Sequence, residues 1–234
     1  MPLEKGSFVL VNYTVKIKDT NQIIESTIEE EAKKGNIYDP QKVYEPKLLC
    51  IGDNWILKDV DDALLNANVN DTIVIEAPPA KAFGEWDPKK VRMIPLRRLG
   101  DKADEVKVGD SIEIDNKIGI VRFIGSGRIQ VDFNHKLAGK TLEYTVSILQ
   151  KLEEENDKIT ALIRRRIPIK KEQLKFVKEN DRLDIEIPQE YLFKEGLQII
   201  KRAIANDILK YITSINTIRF IEHFEREKKE ESKA

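Results

Sequence analysis

The sequence is poor in the residues that covalent and metal chemistry use. One cysteine, Cys50, and two histidines, His135 and His223, stand among 234 residues. A lone cysteine excludes an intramolecular disulfide, and no His or Cys has a neighbour at a metal-ligand spacing. There is no Walker-type glycine loop and no GxGxxG, GxSxG or HExxH, which removes the common nucleotide-binding, hydrolase and zinc-protease readings. An excess of one charge is also missing. Forty Lys+Arg face 41 Asp+Glu, a net charge of -1, so nothing global attracts nucleic acid, an anionic membrane or acidic substrates. No apolar run approaches the roughly 18 residues of a membrane helix. The start MPLEKGSFVL lacks the positive region and long apolar centre of a secretion signal. These absences lead to the expectation of a soluble cytosolic protein without cofactor or metal.

What is present is a globular composition, 41% apolar and 35% charged, with the abundant Lys, Glu and Ile of a heat-adapted protein. In FVLVNYTVKIKD, Val9, Val11, Tyr13, Val15 and Ile17 share one parity while Asn12, Thr14, Lys16 and Lys18 take the other, which predicts a half-buried strand. QIIEST predicts a second strand, followed by a charged, proline-containing excursion. WILKDVDDALLNAN has Ile56, Val60, Ala63 and Leu64 at helical spacing, with Asp53 or Asn54 as the capping residue. DTIVIEAP is a further strand, ended by Pro78-Pro79. From Lys89 to Leu137 the texture changes to short strands punctuated by Gly and Asn, a small all-β unit. TLEYTVSILQKLE then alternates as a closing strand of the first sheet, so the β unit is an insertion in the first domain. EEENDK, residues 153–158, reads as a hinge. Beyond it, KITALIRRRIPI and DRLDIEIP read as strands with a short helix at KKEQLKFV between them. A long helix follows over QEYLFKEGLQIIKRAIANDILKYITS, then the strand NTIRFIEHF and the charged tail EREKKEESKA.

The residues that could carry chemistry each have a plain alternative. The carboxylate runs Asp61-Asp62 and Glu29-Glu30-Glu31 read as solvated faces, and so do Arg164, Arg165 and Arg166 on a strand edge. Cys50 reads as a small core residue, His223 as a polar-face residue and His135 as part of a turn.

Four stretches together resemble the FKBP-type peptidyl-prolyl isomerases: VNYTVKIKDTNQIIEST, WILKDVDDALL with VNDTIVIEAPPAKAFG, the insertion after AFG, and NHKLAGKTLEYTVSILQKLE. They are similar to the SlyD-like members, which carry a chaperone domain in the flap, and the third domain is placed as in long-chain archaeal members. The resemblance covers residues 6–152. It implies an α+β fold, with an antiparallel FKBP-like sheet wrapped on a short helix (1–88 and 138–153), an inserted all-β flap (89–137) and a C-terminal α+β domain (157–234).

The implied activity is cis-trans isomerisation of X-Pro bonds in unfolded or nascent polypeptides, together with chaperone action. The alternative is a holdase on the same fold with a weakened pocket. By resemblance, Tyr13, Ile24, Glu25, Ile56, Leu57, Val60, Phe83 and Tyr144 form the isomerase pocket. Glu25 stands for the family's aspartate, and its longer side chain leaves that aspartate's hydrogen bond open. Val60 replaces an aromatic floor, implying a roomier pocket. Asp59 replaces a glycine and would have to accept a left-handed backbone, and Phe83 replaces a tyrosine while keeping an apolar wall. In the flap, Met93, Ile94, Leu96, Ile120, Phe123, Val131 and Phe133 are candidates for client binding, because so small a unit cannot bury all its apolar residues. NHKLAGK becomes the return crossing, with Gly139 supplying a turn and His135 a hinge. The tail has neither His nor Cys, so no nickel site is expected. A homodimer through the C-terminal domain is an expected partner; membranes and nucleic acid are not.

Overall fold

The computed structural model describes residues 2–224; the tail EREKKEESKA and its bearing on metal lie outside the described residues. The first sheet has the strands β1 (Phe8–Ile17), β2 (Gln22–Ser26), β3 (Lys47–Cys50), β4 (Thr72–Ala77) and β9 (Leu142–Leu152). β1 and β9 pair antiparallel over nearly their whole length. β4 flanks β9, while β2 and β3 share the other edge of β1. A short helix, α1 (Glu29–Lys34), follows β2, and α2 (Lys58–Leu64) packs on the sheet through Val60 and Leu64, both fully buried. The alternation read in β1 is visible as burial of Val9, Val11, Val15 and Ile17 on the α2 side. Phe8 and Leu10, on the opposite parity, also pack into an apolar core.

β5 (Val91–Pro95), β6 (Ser111–Ile114), β7 (Lys117–Gly125) and β8 (Arg128–Asp132) form a separate sheet in the order β5-β8-β7-β6. Its core holds Ile94, Ile129 and Val131, with Leu96, Ile124 and Phe133 packed on it. A Cβ on Gly119 would lie 2.5 Å from Val131 and 2.8 Å from the Phe133 ring, so only glycine admits this packing. Two crossings join the flap to the first sheet, and Asp132 laces them. It accepts from Asn134 N and Nδ2, both at 2.9 Å, and from Trp86 Nε1 and Arg122 at 3.3 Å. Asn134 Nδ2 also donates to the Asp87 carbonyl at 2.9 Å. Burial opposes the charge of Asp132, but the bonds from Asn134, Trp86 and Arg122 outweigh it and hold its pKa below the usual aspartate value. Gly139, at φ 72°, makes the predicted turn; a Cβ there would come within 3.0 Å of Trp86 Cβ.

The third unit runs α3 (Glu155–Arg166), β10 (Lys175–Glu179), β11 (Arg182–Ile187), α4 (Leu197–Tyr211) and β12 (Thr217–Glu222). This order corrects the expectation in three places. KITALIRRR is the body of α3, not a strand. Ile159, Leu162 and Ile163 are fully buried on one helical face, and the spacing i, i+3, i+4 was there to be read. The supposed hinge EEENDK supplies the first turn, with Glu155 and Asp157 at the positive end and Arg164–Arg166 at the negative end of the helix dipole. KKEQLKFV gives only a single 3-10 turn, Lys171–Gln173, before β10. β11 and β12 are parallel, so α4 is the crossover that parallel neighbours require.

α3 and α4 do not form a core apart from the first domain. Leu162, Ile163, Ile204 and Ile208 share one apolar cluster with Phe8, Leu48, Cys50 and Leu152 of the first sheet. Leu162→Ala should therefore cost about 2–5 kcal/mol. Chemical denaturation followed by tryptophan emission should show the loss in the transition that unfolds the first domain, not in a separate one.

Candidate functional site

The site is built on the pairing of β1 with its neighbours. Tyr13 pairs with Val146, and Val15 with both Tyr144 and Glu25. Residues opposite one another share a face, so Tyr13, Tyr144 and Glu25 rise on the same side of the sheet as diagonal neighbours. The two tyrosine rings lie 6.4 Å apart, and the Tyr13 hydroxyl donates to Glu25 Oε1 at 2.6 Å. The longer carboxylate thus reaches the tyrosine. Below them α2 supplies Val60, fully buried, while Ile24, Ile56 and Leu57 pack on the same cluster and stay partly open. The result is an apolar floor with one polar pair at its rim.

Burial, then the hydrogen bond to Glu25, pushes the Tyr13 pKa far up. Burial and the Glu25 charge raise Tyr144 to about 12. Both stay neutral at physiological pH. The Tyr13 proton is committed to Glu25, whereas the Tyr144 hydroxyl has no hydrogen-bond partner among the described residues.

Phe83 is 39% exposed and stacks on the His135 imidazole with ring centres 4.3 Å apart, so the AFG turn is fastened to the return crossing. The opening of α2 differs from expectation. Its N-cap is Leu57, with no side-chain cap, so neither Asp53 nor Asn54 caps it. Asp59 is helical and bridges Lys81 at 2.7 Å; the left-handed residue is Asn54, at φ 54°.

Asp61, read as solvated, is 2% exposed and anchors the turn before α2. It accepts from Gly52 N at 3.0 Å and Asn54 N at 2.8 Å. Trp55, also unread, meets Phe8 and Tyr211 edge-on at 6.1 and 5.5 Å, and Arg165 covers its ring at 3.8 Å. Arg164 pairs with Glu45 of the first domain, and Arg165 and Arg166 both pair with Asp207 of α4, so the arginine run is not a free basic edge.

In the flap, strand register separates the expected client residues into two groups. Met93, Gln130 and Phe123 stand opposite one another across β5, β8 and β7, and Ile120 shares their face. Met93 and Phe123 are about half exposed. Ile118, outside the set of client-binding candidates, is 70% exposed on that face. Ile94 and Val131 are buried on the other side, and Leu96 and Phe133 pack against them. These four build the flap core and are not its outer surface.

Comparison with known proteins bears on the whole arrangement. A family model described as "FKBP26, IF domain" matches residues 92–137, and one described as "FKBP26_C-terminal" matches 155–225. The chain belongs to the FKBP-type peptidyl-prolyl isomerases. A short-type peptidyl-prolyl cis-trans isomerase of Methanocaldococcus jannaschii is 28% identical over 146 residues, 62% of this chain and 92% of the relative. The FKBP-type 16 kDa peptidyl-prolyl cis-trans isomerase of Escherichia coli is 28% identical over 153 residues, covering 63% and 93%. The isomerase SlyD of Haemophilus influenzae is 25% identical over 153 residues, covering 64% and 72%.

Two predictions follow the geometry. Asp61→Ala strands buried backbone donors and should cost about 2–3 kcal/mol, measured by urea unfolding. For the tyrosines, a folded pKa above the ordinary value means that the neutral form is favoured in the native state. Their contribution to stability is then complete below about pH 10 and is lost as pH rises from there to about 12 for Tyr144. Isomerase activity should be flat through neutral pH, and spectrophotometric titration should show tyrosinate appearing in that upper window.

Proposed function

We propose that this chain rotates X-Pro bonds of unfolded polypeptides on the apolar floor beneath Tyr13 and Tyr144, and that the flap's outer face holds the client while it does so. The rotation crosses a barrier of about 18–20 kcal/mol set by amide resonance and breaks no covalent bond. The twisted amide is less polar than the planar one, so an apolar surround favours it in relative terms. A donor aimed at the carbonyl or the prolyl nitrogen adds to this. The observation that carries the reading is the polar pair above an open apolar floor: Tyr13 held by Glu25, with Ile24, Ile56, Leu57 and Val60 below. Met93, Ile118 and Phe123 form the exposed apolar face on the flap. Clients held there meet the pocket at a raised effective concentration.

The holdase alternative rests on the replacements at Glu25, Val60 and Phe83, and Phe83 is exposed and stacked on His135. The third domain also exposes Phe193 (92%) and Ile199 (76%), which supports its use as a dimer contact; a monomer in sedimentation at micromolar concentration would remove that part.

The deciding experiment measures cis-to-trans isomerisation of a Pro tetrapeptide beside proline-limited refolding of a protein client. Both should accelerate, and Tyr13→Ala should lower both at least about tenfold, 1.4 kcal/mol in barrier. Met93→Ser with Phe123→Ser should lower the refolding rate selectively. Suppressed client aggregation without acceleration of either reaction would instead establish the holdase.

A further inference from the structure

A hollow of about 300 Å³ opens between the isomerase sheet and α3, at the small end of the range for ligand sites. Tyr13 and Ile56 are among the residues that line it, so it shares two residues with the candidate prolyl site. Trp55 forms part of its wall, and α3 closes the far side with Arg164 and Arg165. Four cations line it, Lys47, Arg164, Arg165 and Lys171, against two carboxylates, Glu45 and Asp157. The pairing inside it is uneven. Arg164 is satisfied by Glu45, while Lys171 stands 4.0 Å from Asp157. Arg165 shares Asp207 with Arg166, and Lys47 has no ion partner among the described residues. The wall therefore carries positive charge in excess beside an aromatic and aliphatic floor.

We infer that this hollow is a subsite for the client chain flanking the proline, and that it selects an acidic side chain within a few residues of it. The inference rests on the isomerase reading of the pocket. The occupant is the substrate polypeptide itself, because the hollow shares Tyr13 and Ile56 with the substrate site and carries the complementary charge. The third domain would in this way set substrate preference for a reaction carried out on another domain.

The test uses the full chain and Pro peptides that differ only in Glu, Ala or Lys, placed in turn at the second and third positions on either side of proline. The kcat/KM ratio of Glu over Lys should be about three to ten at one of these positions and shrink as salt is raised. In the double reversal Lys47→Glu, Lys171→Glu the same ratio should fall to one or invert. A wild-type ratio of one at every position, or a ratio unmoved by the reversal, overturns the subsite. Calorimetric binding of the same peptides separates the two readings. Charge-selective binding without isomerisation would keep the subsite and remove the catalytic reading, and isomerisation of the Ala peptide with no charge preference would remove the subsite alone.

Discussion

The central strand β1 buries side chains on both faces, and the positions of the other parts depend on that. On one face Val9, Val11 and Val15 meet α2 and its cluster; on the other Phe8 and Leu10 meet α3 and α4. An FKBP-like sheet needs only the first of these. The second makes the sheet the middle layer of three, and it removes Phe8, Leu48, Cys50 and Leu152 from water through residues far away in sequence. Burial, with the nearby Asp53 charge adding to it, also pushes the Cys50 thiol up to about 11, so it is an inert packing residue.

The turn from Gly52 to Leu57, which delivers Ile56 and Leu57 to the pocket, is gripped from both layers. From within, Asp61 takes its backbone donors. From the third domain, Lys210 and Tyr211 bind Asp53, whose pKa falls below the usual range under those two bonds. Trp55 is held among Phe8, Tyr211 and Arg165. A pocket floor made of aliphatic side chains has little directional bonding of its own. Its precision comes from these polar and aromatic ties on the residues just before it, and most of them belong to the third domain.

This division also explains what could be read from the sequence. The alternation in β1 and β9, the spacing in α2 and the Gly-rich strands of the flap are local patterns, and Tyr13, Ile24, Ile56, Leu57, Val60 and Tyr144 do meet in one cluster. Side chains whose partners are remote left no such pattern. Phe8 and Leu10 sat on the supposedly polar parity of β1, and only the third domain accounts for them. Asp61 looked like half of a solvated pair because its partners are backbone amides across a turn. Arg164–Arg166 looked like a strand edge, although Ile159, Leu162 and Ile163 fit period 3.6. In the flap, composition revealed a surplus of apolar residues but not which face they took. That depended on strand register, and on the bulge after Val121 that puts Phe123, not Arg122, opposite Gln130.

The two attachments to the isomerase domain differ in kind, and the difference suits the chemistry. The third domain is joined through a continuous apolar core, which is stiff because close-packed interiors yield little. The flap has its own small core and is joined at two crossings laced by Asp132, Asn134 and Trp86, a polar junction of the sort across which relative motion is the default. On the proposed function, one wall of the substrate cleft is thus fixed and the other can adjust. Unfolded clients differ in everything but the prolyl bond. A rigid floor for that bond beside an adjustable holding surface separates the demand for geometric precision from the demand for tolerance, and lets one chain meet both.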